Sequence, residues 1–320
     1  MTPAKTEPIK MEMHGSSKPL VSVIIPTFNH AAFIGDAIKS VIAQTYNNWE
    51  IIITNNYSTD DTIKVLKKFK NRRIKLLNMR NKGIIAASRN EAIKHARGEY
   101  LAFLDSDDIW KPNKLKMQIE MFNKNPELLA VSTNIESFPD GRRNAYRMKR
   151  DIKASFCRFV RREFSICTSS VLMKKLVVKE VGVFDEDPGL IAVEDHDYWL
   201  RILRHRDESV LILKNSLVKY RVHRDARSKI ELHEDFGMKE YEKLLLIYKK
   251  HEYYDHQNLS KIKRIIEFRI KKAKMEIDII GRRESLPYIL MNYEGRILDK
   301  LKILAKYSLG YYSAELPDSI

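Results

Sequence analysis

The chain has 320 residues, 44% of them hydrophobic, enough to bury a substantial core in one large domain or two unequal ones. Its formal net charge is +16, and residues 231–320 hold 17 Lys and Arg against 15 Asp and Glu, so nearly all the excess lies in the first 230. No apolar run is long enough to span a membrane as a helix, the opening MTPAKTEPIKMEMHGSSKP lacks the apolar centre of a secretory signal, and Cys157 and Cys167 have no metal-like spacing. These features point to an intracellular, cytoplasmic protein with a disordered leader over residues 1–19.

From Leu20 the chain alternates strands and helices. LVSVIIPT is a β-branched apolar run of the kind found in buried parallel strands. Ile34, Ala37, Ile38, Val41 and Ile42 then recur at helical spacing on one face. WEIIIT is a second strand, and STDDTIKVLKKF a helix for which Ser58 or Thr59 is the expected cap. RIKLLN is a third strand, GIIAASRNEAIKHARG a helix for which Gly98 is the expected C′ residue, and EYLAFLD a fourth strand. This β-α-β-α-β-α-β order predicts a doubly wound α/β sheet, whose ligands bind beyond the carboxyl ends of the strands. Thr27, Asn55, Asn56 and Asp105 all follow strand ends and are expected at one crevice.

After residue 110 the alternation loosens. KPNKLKMQIEMF starts a helix after Pro112, LLAVST and ICTSSVLM are expected strands, EDHDYWLRILRH is a helix, and SVLIL and LVKYRVH are strands again. Residues 231–320 read as helix-rich. The densest basic stretch is RRNAYRMKRDIKASFCRFVRR (142–162), with nine basic residues and one acid, Asp151. It reads first as a solvated surface, otherwise as an attractor of phosphates, anionic lipid or an anionic acceptor. It lacks the regular aromatic interleaving of a base-stacking platform, so no nucleic-acid partner is expected.

Two acidic clusters carry the chemistry. Taken alone, DSDD reads as a helix cap ahead of Pro112. Following the fourth strand of an α/β sheet, Asp105, Asp107 and Asp108 read instead as ligands for a hard divalent cation bound to phosphate oxygens. Glu194, Asp195 and Asp197 open an amphipathic helix, where the helix dipole favours negative charge, and Asp195 is suited to act as a general base. His196 reads as an exposed helix histidine and His205 as a charge at the C-terminal end of the helix. His223, at a strand end, is a candidate metal ligand. The glycine-rich phosphate loops GxGxxG and GxxxxGK[ST] are absent from the sequence.

VSVIIPTFNHAAFIGDAIKSVIAQTYNNWEIII, NKGIIAASRNEAIKHARGEYLAFLDSDDIWKPNKL, VGVFDE and EDHDYWLRIL occur in the order and spacing of the family 2 glycosyltransferases, which the chain resembles over roughly residues 20–225. The resemblance implies a GT-A fold, a Rossmann-like doubly wound mixed sheet, here with a helical C-terminal extension. Residues 20–230 would form this domain, with a nucleotide-binding half (20–110) and an acceptor half (111–230), followed by the helical region 231–320. It also implies inverting transfer from a nucleotide-diphosphate sugar to a glycan or lipid-linked acceptor. The Lys, Arg, Leu and Ile content of the C-terminal helices separately permits peripheral contact at the inner face of a membrane, where this region or the basic patch would meet a lipid-linked acceptor. Asp105 and Asp107 match the D-x-D motif, with Mn²⁺ or Mg²⁺ as cofactor held by Asp107, Asp105 and His223. Asp195 matches the catalytic base. Pro26, Thr27, Asn29, Asn55, Asn56, Lys82, Arg89, Asp105 and Ser106 match donor-binding positions.

One turn departs from the pattern. Where the family commonly has V-D-D-G-S-T-D, this chain has Thr54-Asn55-Asn56-Tyr57-Ser58-Thr59-Asp60. Loss of the acids predicts a neutral, weaker contact to the base, with UDP-sugar still the first expectation. Tyr57 is a candidate to stack on the base, and replacement of the glycine predicts a backbone that avoids positive φ. The competing reading is a catalytically impaired relative that binds nucleotide sugars or acts as a scaffold.

Overall fold

The computed structural model describes residues 18–138, 148–160, 163–223 and Ile247. The reading of residues 231–320 as a helical extension therefore lies outside the described residues, Ile247 excepted, as does most of the leader.

β1 (Val21–Thr27), β2 (Trp49–Asn55), β3 (Ile74–Asn78) and β4 (Tyr100–Phe103) pair in parallel in the order β3-β2-β1-β4. Helices α1 (Ile34–Ile42), α2 (Thr62–Leu66) and α3 (Ile85–His95) connect them. Alternate residues of β1 serve opposite faces of the sheet. Val21, Val23 and Ile25 pack with Ile34, Ala37, Ile38 and Val41 of α1, while Ile24 packs with Ala86, Ala92 and Ile93 of α3. The helical periodicity read from the sequence is thus the core-facing stripe of α1.

The sheet continues past β4 through strands of mixed direction. β8 (Leu172–Lys174) is antiparallel to β4 and to β6 (Ala130–Phe138), and β6 is parallel to β9 (Val210–Arg221). β5 (Ile109–Trp110) and β7 (Ile152–Ala154) pair antiparallel with β9. SVLIL and LVKYRVH, expected as two strands, are one, with register shifts in its pairing to β6 between Thr133 and Ile135. α4 (Lys114–Lys124) covers one face and α7 (Glu194–His205) the other, with α5 (Phe156–Val160) and α6 (Val177–Glu180) beside α7. Ile247 is buried in the same core cluster as α7.

Three local expectations are corrected. The helix after β2 begins at Thr62 behind Asp61; Ser58 instead accepts the Asn29 N–H at 2.9 Å, and Asp60 accepts the Thr62 N–H at 3.0 Å. Gly98 does not end α3 with a positive φ. It lies against β1, where an added Cβ would stand 2.6 Å from the Ser22 nitrogen and 2.7 Å from the Leu20 carbonyl oxygen. ICTSSVLM is not a continuous strand. Thr168–Ser170 form a 3₁₀ turn that delivers the chain into β8, and their hydroxyls find side-chain and backbone partners instead of a ladder.

Candidate active site

The four parallel strands end at one rim. Thr27, Asn55 and Asn78 stand in register there, and the chain leaving β4 adds Asp105–Asp108. Two further elements reach the same rim because of strand direction. β8 runs antiparallel to β4, so the Thr168–Ser170 turn at its start lies beside the end of β4. β9 runs antiparallel to β5, so its end lies beside Asp107 and Asp108 at the start of β5.

The first three loops each contain a non-glycine residue at left-handed φ: Asn29, Tyr57 and Lys82, each at 51°. Such backbone persists where surrounding contacts over-determine it, and it clusters at ligand sites. The expectation that Tyr57 avoids positive φ is therefore wrong. The turn is held by its neighbours: the Asn55 side-chain carbonyl accepts the Ser58 N–H at 3.2 Å and the Ser58 hydroxyl at 2.6 Å, and Asn29 accepts the Thr59 N–H at 2.8 Å. Tyr57 is half exposed, with the Arg80 guanidinium 5.0 Å from its ring centroid.

Several expected donor-binding side chains prove to be engaged within the protein. Asn55 is buried, and its amide donates to Asn78 at 2.8 Å. Asn56 accepts the Asn81 N–H at 3.0 Å. Ser106 is buried against His30, with the hydroxyl 2.6 Å from Nδ1. Arg89 is buried and spans the two acidic clusters, donating to Asp105 at 2.9 Å and to Glu194 at 2.8 Å. Pro26 and Thr27 are buried at the end of β1, Thr27 with a hydroxyl that has no partner. Lys82 is exposed on its loop.

Asp107 points its carboxylate at His223, Oδ2 to Nε2 at 3.0 Å, and the other imidazole nitrogen is buried without a partner. His223 packs on Phe33, centroids 4.6 Å apart. Asp108 turns away into the protein, accepting the Arg221 N–H at 2.9 Å, and burial together with the charges of Asp107 and Asp105 pushes its carboxyl well above the usual range. Among the described residues no three metal-ligating side chains converge on one point. Asp107 and His223 are a carboxylate and an imidazole facing each other, a donor pair whose chemistry would suit a divalent cation.

Asp195 lies at the start of α7, on the far side of Arg89 from Asp105. Its Oδ2 accepts the Thr168 hydroxyl at 2.8 Å and its Oδ1 accepts the His196 N–H at 2.7 Å. Burial, then the charge of Glu194, raises its carboxyl to about 6, against the opposing pull of Arg89 and these hydrogen bonds. A carboxylate with that affinity for protons is ionised at neutral pH yet basic enough to accept one. His196, expected to be exposed, instead stacks on Phe159 at 4.5 Å. His205 sits at the C-terminal end of α7 and meets Glu180 at 3.1 Å. The contributions of His30, Arg80, Thr168 and Ser169 were not read from the sequence, since a threonine or serine in an apolar run carries no signal of what its hydroxyl meets.

The profile of Glycosyl transferase family 2 matches residues 22–179. The uncharacterized glycosyltransferase RP339 of Rickettsia prowazekii is 31% identical over 233 residues, 71% of this chain and 70% of that protein. UDP-Glc:alpha-D-GlcNAc-diphosphoundecaprenol beta-1,3-glucosyltransferase WfgD of Escherichia coli is 47% identical over 106 residues, 33% of this chain and 42% of WfgD, so the match spans less than half of that relative. Among solved structures, S. aureus TarS 1–349 in complex with UDP-GlcNAc superposes with a TM-score of 0.62 at 19% identity, over 82% of this chain and 73% of that one. A mixed sheet with four parallel strands, β1 to β4, and an acidic turn after β4 is the GT-A arrangement, and the chain belongs to glycosyl transferase family 2.

Proposed function

We propose that the protein transfers a sugar from a UDP-sugar to a hydroxyl of a glycan or lipid-linked acceptor, with inversion, and that Asp195 is the general base. The observation that carries this reading is the bridge Asp105–Arg89–Glu194, which joins the donor-side and base-side acids, about 90 residues apart in sequence, at one rim. The name of WfgD supports UDP as the nucleotide and a lipid-linked acceptor. Asp107 and His223 would hold a divalent cation, Mn²⁺ or Mg²⁺, and Asp105 would contact ribose or metal. When bound, the cation compensates the negative charge that gathers on the diphosphate as the glycosidic bond breaks.

The chain's own residues do the rest. Asp195 accepts the proton of the acceptor hydroxyl while that oxygen attacks the anomeric carbon from the face opposite the diphosphate. Arg89 keeps the acidic clusters from repelling one another. Tyr57 offers its exposed ring to the base, with the amide of Asn56 beside it. Among the described residues no helix is long and apolar enough to cross a membrane, and the proposed acceptor would be met by peripheral contact.

The test is a thermal-shift panel of UDP-, GDP-, CDP- and dTDP-sugars with Mn²⁺ or Mg²⁺. The expected result is stabilisation by a UDP-sugar that the cation increases. Stabilisation by none of them would favour the scaffold reading, for which the internally engaged Asn55 is the supporting observation.

A further inference from the structure

We infer that Thr168 and Ser169 are positioning residues that hold the Asp195 carboxylate in register with the donor-binding Asp105, Thr168 acting through Asp195 and Ser169 through the Asp105 backbone. The inference rests on Asp195 being the base. Its ground is that two adjacent hydroxyls on one turn reach the two acidic clusters separately: Thr168 donates to Asp195 at 2.8 Å, and Ser169 accepts the Asp105 N–H at 3.0 Å.

The turn is anchored on its other sides. The Trp110 indole donates to the Ser169 carbonyl at 2.7 Å, Gln118 donates to the Ser170 carbonyl at 2.8 Å, and the Ser132 and Ser170 hydroxyls lie 2.7 Å apart. Thr168, Ser169 and Ser170 are all buried. Behind them, Val171 accepts the Phe103 N–H at 3.2 Å, which fixes the turn to β4 itself. A shift of this turn would therefore move the base and the donor turn together.

The turn and Arg89 have different parts. Arg89 balances charge between Asp105 and Glu194 but makes no hydrogen bond to Asp195, whose two oxygens are oriented by Thr168 and by the His196 N–H. These two bonds fix the plane of the carboxylate and hence the direction in which its free lone pairs face. The charged and titratable groups around Asp195 are Glu194 on its own helix, Arg89 on α3, and Cys167 beside the turn, with Asp105 beyond Arg89.

The test uses the full chain labelled with carboxyl-¹³C aspartate. The Asp195 resonance is identified by its loss in Asp195→Asn, and its titration is followed by NMR. A hydroxyl donating to a carboxylate favours the ionised form, so Thr168→Val and Thr168→Ala are expected to move the midpoint upward from about 6 by up to about one pH unit, with Thr168→Ser restoring it. Ser169→Ala is expected to leave that midpoint in place and to weaken binding of UDP with Mn²⁺ by roughly threefold to tenfold. An unmoved midpoint in Thr168→Val and Thr168→Ala overturns the inference, as does an equal shift in Thr168→Ser, which would mark a packing effect. Retention of UDP-glucose turnover by Asp195→Asn would overturn the base assignment separately, whatever the midpoints do.

Discussion

Asp195 shows how the base role proposed for it would oppose stability. Partial burial, then the charge of Glu194, pushes its carboxyl up from the usual 3.8 to about 6. A raised acid favours the fold at pH values below 3.8 and loses that contribution as pH climbs through 6, so at neutral pH the ionised group costs about 1–3 kcal/mol. Asp195→Asn is therefore expected to raise the melting temperature by a few degrees at pH 7, a gain that shrinks toward pH 4, while sugar transfer falls by about 10²–10⁴. Calorimetry at both pH values and a transfer assay check the pair of outcomes. In the wild type, transfer is expected to fall as pH drops through 6, because the base becomes protonated. Tyr57 offers the complementary case. Its left-handed backbone costs about 1–2 kcal/mol, which Tyr57→Gly relieves, but glycine adds about 0.5–1 kcal/mol of chain entropy and the Arg80 contact is worth a similar amount. The terms nearly cancel, so the melting temperature is expected to stay within about 3 °C, while UDP affinity drops at least fivefold through the lost stacking surface. Unchanged UDP binding by titration calorimetry would remove Tyr57 from the site. The place of Asp105–Asp108 at the rim was legible at this scale because carboxylates after a strand end are rarely placed there for packing. The Tyr57 backbone was not, because it is set by Asn29, Asn55 and Ser58 across two loops.

Elements were legible where a single physical demand shaped them. α1 and α7 follow from apolar spacing, and β1 and β2 from β-branched runs buried on both faces. Thr168–Ser170 failed this reading because β-branched and small residues fit both a strand and a tight turn, and the choice was made by Trp110, Gln118 and Ser132, all distant in sequence. Gly98 failed for a related reason: a glycine near a helix end invites a C-cap assignment, yet its lack of a side chain serves the approach of β1. Its N–H donates to the Ser22 hydroxyl at 2.8 Å in a space closed by backbone. Gly98→Ala is accordingly expected to cost about 1–3 kcal/mol, since backbone cannot yield as a flexible side chain can. Gly98 lies at the start of β4, opposite the ligand rim, so UDP affinity with Mn²⁺ should be unchanged. That is the reverse of the Tyr57→Gly result, and the two variants together separate the support of the sheet from the site it carries. A Gly98→Ala protein that melts with the wild type would show that β1 can retreat from the added methyl group.

At the scale of the molecule, the sheet places the candidate metal ligands Asp107 and His223, from distant stretches, side by side. β9 pairs with β6, β5 and β7, and its end brings His223 within 3.0 Å of Asp107, 116 residues earlier. A cation held between them with a nucleotide diphosphate would tie the end of β9 to the parallel strands that face the base. Binding there acts on the folded state alone, and at a ligand concentration of about 100 times Kd it adds about 2.7 kcal/mol, several degrees for a domain of this size. Because one sheet runs through both halves, that gain is expected as the displacement of a single transition. His223→Ala leaves Asp107, Asp105 and the base-side loops intact, so UDP alone should stabilise this variant as it does the wild type, whereas the further increment from Mn²⁺ should disappear. Differential scanning calorimetry with UDP, with Mn²⁺ and with both resolves these contributions. An undiminished Mn²⁺ increment in His223→Ala would exclude the histidine as a ligand. A transition that splits, with only one part moved by UDP and Mn²⁺, would mean that the strands beyond β4 melt independently of β1–β4.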